Sequence, residues 1–127
     1  MVATKEDLYI EAGATFDRSW VWRETLENGS LGDPVDLTGY TARMHIRRTL
    51  VDPDILVDAN TENGQIILGG TAGTVQVLIP DEVTEEIGVT AGVYDLELES
   101  AGGYVYRLLE GKVKVSPNVT REPVADG

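Results

Sequence analysis

The feature that most constrains this chain is an apolar period of two, repeated in one segment after another. In Thr15–Glu24 the residues Phe16, Trp20 and Trp22 share one face, opposite Asp17, Ser19 and Arg23. In Tyr40–Arg48 the residues Tyr40, Ala42, Met44 and Ile46 share one face, opposite Thr41, Arg43, His45 and Arg47. Val75, Val77 and Ile79 repeat the pattern, and so do Tyr94, Leu96 and Leu98 against Asp95, Glu97 and Glu99. The last long segment, Tyr104–Ser116, puts Val105, Leu109, Val113 and Val115 on one parity together with Arg107 and Gly111. Successive strand side chains point to opposite faces, so this alternation marks half-buried strands in antiparallel sheets.

Turn chemistry separates these runs. Asn28-Gly29 and Asn63-Gly64 supply residues that tolerate positive φ. Ser100–Gly103 reads as a hairpin loop between two alternating strands, and Gly69–Gly73 as another. Gly111, inside a long strand, is expected to mark a bulge or bend. One segment departs from the period: Pro80 opens it, acids follow at once, and Gly88 ends it, which predicts a short helix near residues 81–87. About eight short strands with closely spaced turns predict an all-β, antiparallel two-sheet β-sandwich of immunoglobulin-like form. The expected organisation is an N-terminal tail at 1–7, a sandwich domain at 8–116 and a C-terminal tail at 117–127. Trp20, Trp22, Tyr94, Leu96, Leu98 and Val113 are the expected core.

Charge narrows the choice of partner. The chain has 22 acidic and 10 basic residues, a formal net charge of −12. That argues against nucleic acid, whose binding rests on neutralising phosphates, and against anionic membranes. The absence of cysteine excludes disulfides and thiolate metal sites. No apolar run is long enough for a membrane helix, and the charged residues Lys5, Glu6 and Asp7 do not read as a signal peptide, so a cytosolic origin is expected.

Catalytic signals are weak. His45, the single histidine, reads as a surface residue on a polar strand face, and no nucleophile elbow, phosphate loop or zinc motif occurs. Asp52, Asp54 and Asp58 lack calcium-loop spacing, so no metal and no cofactor are expected. Asp95, Glu97 and Glu99 read as a solvated strand face. The glycosylation patterns at Asn28 and Asn118 read as chance matches. The densest basic group, Arg43, Arg47 and Arg48, is the candidate partner-docking site. Guanidinium groups on an acidic chain suit an acidic partner or an acidic neighbour of the same kind.

Three stretches carry a family resemblance: PVDLTGYTARMHIRR (Pro34 to Arg48), ENGQIILGGTAGTVQVLIPDEVT (Glu62 to Thr84) and AGVYDLELESAGGYVYRLLEGKVKVSPNVTR (Ala91 to Arg121). In this order they resemble small immunoglobulin-like β-sandwich virion proteins of tailed bacteriophages, of the tail, baseplate or fibre-adaptor type. The resemblance spans about Leu8 to Arg121. It implies a non-enzymatic structural component of the virion, made in the host cytoplasm, that joins tail, neck or baseplate parts through protein–protein contacts. Its expected partners are other phage virion proteins, with many copies in a symmetric assembly and with neither nucleic acid nor membrane. The alternative is a capsid decoration protein on the outside of the phage head, which copy number distinguishes.

Overall fold

The computed structural model describes residues 3–120. The alternating segments form two sheets. In the larger, β6 (Thr41–Arg47) pairs antiparallel with β10 (Ala91–Glu99), and β10 pairs with β11 (Val105–Ser116) through the Ser100–Gly103 loop. β7 (Val57–Asn60) extends the sheet beyond β6. At the other edge β1 (Thr4–Lys5) and β2 (Leu8–Glu11) both run parallel to β11, one after the other. The smaller sheet has β9 (Thr74–Ile79) between β3 (Phe16–Val21) and β8 (Ile66–Leu68). A separate hairpin, β4 (Arg23–Thr25) with β5 (Leu31–Pro34), turns through Asn28-Gly29, where Gly29 takes φ 85°. The helix α1 spans Asp81–Glu85.

The core lies between the sheets. Leu8, Ile10, Met44, Ile46, Leu96, Leu98 and Val113 from the large sheet meet Ile66, Val75, Val77 and Ile79 from the small one. Each such side chain contributes roughly 1.5–3 kcal/mol by leaving water. Trp22 closes one end, edge-on to Tyr40 and Tyr106 at 6.2 and 5.4 Å between ring centroids. Thr84 of α1 closes the other. Its buried hydroxyl accepts from Gly13 N–H at 3.1 Å and lies 2.8 Å from the Ala14 carbonyl. Two packed, mainly antiparallel layers with this strand order are an immunoglobulin-like sandwich.

Several expectations need correction. The segment expected as a tail at 1–7 joins the large sheet from Thr4 onward, and Glu6 is held by backbone and side-chain hydrogen bonds. Residues 1–2 and 121–127 of the two tails lie outside the described residues. Trp20 is half-buried rather than core, because β3 is the rim of the small sheet; its indole donates to Glu6 Oε2 at 2.7 Å. Tyr94, Leu96, Leu98, Val113 and Trp22 are buried as expected. The bulge in β11 lies at Leu108, where Leu96 faces Leu109 but Glu97 faces Arg107. That extra residue flips parity, so Val105 and Arg107 face outward while Leu108 and Leu109 are both buried. Gly111 serves a different purpose: a Cβ there would overlap the Glu6 carbonyl oxygen, so its lack of a side chain admits β1.

Candidate functional site

The residues that share the outer face of the large sheet follow from its register. Arg43, His45 and Arg47 alternate with buried Ala42, Met44 and Ile46 on β6, so all three point outward. Paired residues on neighbouring strands share a face. One row across the sheet therefore runs Asp58, His45, Asp95, Glu110, Lys5, and the next runs Asn60, Arg43, Glu97, Arg107. β6 is a basic column and β10 an acidic one beside it.

These neighbours are in contact. Arg43 Nε lies 3.1 Å from Glu97 Oε1. Arg107 reaches Asp95 at 3.5 Å and Glu97 at 4.0 Å. His45 Nε2 lies 3.4 Å from Asp58 Oδ1. Arg47 is held otherwise, donating to the carbonyls of Asp52 at 3.0 Å and Pro53 at 2.9 Å, which ties the β6–β7 loop to the sheet. Arg48 lies in the bend after β6 and approaches Asp52 at 4.0 Å. Of the three candidate docking arginines, Arg43 and Arg47 thus share the strand face and Arg48 lies beyond the strand end. Exposed pairs of this kind contribute at most about 1 kcal/mol each. Their effect is to fix side-chain positions over an open trough of about 720 Å³ bordered by Lys5, Arg43, His45, Arg47, Asp95 and Leu50. Burial, and then the neighbouring Glu97, push the Asp95 carboxyl above its ordinary range, opposed by Arg107 and His45.

The register also divides the charge. Lys5, Arg43, Arg47, Arg107, Lys112 and Lys114 lie on this face with Asp7, Glu11, Asp58, Asp95, Glu97, Glu99 and Glu110. Six cations stand against seven carboxylates, a formal −1. The remainder of the sequence keeps four basic and fifteen acidic residues, a formal −11 of the net −12.

The aspartates considered for calcium do not converge. Asp52 accepts from the Asp54 amide at 2.9 Å, and Asp58 faces His45. Among the described residues no three His, Asp or Glu side chains gather to hold a metal ion, and no helix is long and apolar enough to cross a membrane. Reading each strand alone missed Asp58, Asp95, Glu97 and Arg107 as partners of the basic column. The available signal was the match between two columns, cations at 43 and 47 and carboxylates at 95, 97 and 99, each on an outward parity.

A two-sheet immunoglobulin-like sandwich with a charge-paired sheet face defines the class of protein. No family model matches the chain, and no curated protein matches it. Among solved structures it is similar to one described as the crystal structure of chicken TCR, at 11% identity and a TM-score of 0.48. That match covers 93% of this chain, which spans 57% of the other.

Proposed function

We propose that this chain is a non-enzymatic structural module that docks other proteins through the outer face of its large sheet. Its place is a tailed-phage virion, where it joins tail, neck or baseplate parts. The observation that carries the docking reading is the division of charge: one face is within one charge of neutral and held in place by its own ion pairs, while the rest carries −11 of the −12. An acidic surface repels acidic neighbours in a crowded assembly, so close contact favours the one balanced face. The virion assignment is supported by the resemblance of the stretches within Pro34–Arg121 to phage sandwich proteins.

The test is incorporation. Purified tailed particles from a producing culture are expected to contain the chain, and Arg43→Glu with Arg47→Glu is expected to lower its content at least tenfold while the isolated domain stays folded. Absence of the parent chain from particles overturns the virion role. Incorporation of the double variant at the parental level overturns the docking face.

A further inference from the structure

The two columns of opposite charge have a symmetry consequence. Consider a two-fold axis parallel to the strands, lying over the boundary between β6 and β10. It carries β6 of one copy over β10 of another and keeps every residue at its own row height. Arg43 then lies over Glu97 of the second copy, and His45 over Asp95, because the register sets Arg43 beside Glu97 and His45 beside Asp95 within one chain. The same operation repeats both contacts in reverse, as an isologous interface requires. Asn60 falls over Arg107. The one like-charge overlap, Asp58 over Glu110, is flanked by Lys5 and Lys112.

We infer that the occupant of this face is a second copy of the chain, packed face to face about that axis. This rests on the docking reading of the preceding section. Pairing through any other surface brings together parts that share the remaining −11, whereas this one brings together two nearly neutral faces with opposite charges in register. The size is sufficient. Four strands, β7, β6, β10 and β11, overlap across that axis, and with nine residues along β10 they cover at most about 600 Å² at ~4.8 Å and ~3.4 Å spacing, or about 1,200 Å² in total, the low end of the range for specific interfaces. Arg43 already stands against Glu97 in each chain, so the second copy extends an ordered ion pair into a four-membered array and spares part of the ordering cost.

The geometry predicts a charge-swap result. Arg43→Glu with Arg47→Glu makes β6 acidic, and Asp95→Arg with Glu97→Arg makes β10 basic. Each double variant opposes its own kind, yet a mixture of the two restores opposite charge on both sides of the axis. Sedimentation velocity is expected to give dimer for the parent, monomer for each variant alone and heterodimer for the equimolar mixture. If far-UV circular dichroism shows that a double variant has unfolded, Arg43→Glu and Glu97→Arg carry the same test as single changes. A parent that stays monomeric up to about 1 mM, where even a millimolar Kd is visible, overturns self-association. Docking on virion proteins is then judged separately by the incorporation of Arg43→Glu/Arg47→Glu into particles. Variants that dimerise alone as well as the parent, or a mixture that stays monomeric, overturn the proposed axis.

Discussion

Replacing Thr84 by valine removes one hydroxyl and keeps the shape of the side chain. Thr84 is the only buried polar residue among those described, and it sits where α1 meets the turn between β2 and β3. Its oxygen accepts from Gly13 N–H at 3.1 Å, and its hydrogen has two acceptors within reach, Ala14 O at 2.8 Å and Asp81 O at 3.0 Å. Valine leaves the Gly13 donor and the Ala14 acceptor without that partner. Leaving a buried polar group unsatisfied costs about 1–3 kcal/mol; two partly buried ones at the low end total roughly 2 kcal/mol. The added methyl returns about 0.8 kcal/mol, so the net loss is about 1.2 kcal/mol. With an unfolding entropy of about 2.1 cal/mol/K per residue, 127 residues give about 0.27 kcal/mol/K and a fall in Tm of about 4 °C. Differential scanning calorimetry checks the size. Urea unfolding with an unchanged slope checks that the native fold persists. Thr84→Ser, which keeps the hydroxyl, is expected to lose no more than about half as much. Thr84→Val at or above parental stability would refute the assignment of that hydroxyl as the tie between α1 and the β2–β3 turn.

Other perturbations separate the remaining parts of the fold. Gly111→Ala forces the Glu6 carbonyl away, so it is expected to cost about 1–3 kcal/mol and to speed hydrogen exchange at the Glu6 amide, which donates to Glu110 O at 2.9 Å. Trp22→Ala is expected to cost about 3–5 kcal/mol and Trp20→Ala about half of that, because Trp20 is half-buried at the rim; equal denaturation midpoints refute the distinction. Asp95 has its folded-state pKa raised, so the folded chain holds that proton more tightly than the unfolded chain. The associated stability is present below the unfolded pKa and is lost as pH rises through the folded one. Asp95→Asn is therefore expected to melt above the parent at neutral pH, with the difference closing below about pH 4; a difference independent of pH contradicts this.

What the sequence determines by itself is local. Alternation places Arg43, His45 and Arg47 on one side of a strand and Met44 and Ile46 on the other, because side-chain direction in extended backbone depends only on position along it. The turns at Asn28-Gly29 and Ser100–Gly103 and the short helix after Pro80 are legible for the same reason: each is fixed by φ preferences within a few residues. What lies beside each strand is decided only in the folded chain. Arg43 and Glu97 are 54 positions apart, and their contact exists because β6 and β10 pair in one particular register. The bulge at Leu108 sends Arg107 outward, where an unbroken period would have put it on the inward face with Leu109. The leading segment reads as a polar tail because β1 is two residues long and carries no alternation, yet the parallel edge of β11 and the space at Gly111 bring it into the sheet. The separation of a nearly neutral face from a −11 remainder is likewise a property of pairing. Composition counts charges, but only strand neighbours decide which of them share a surface.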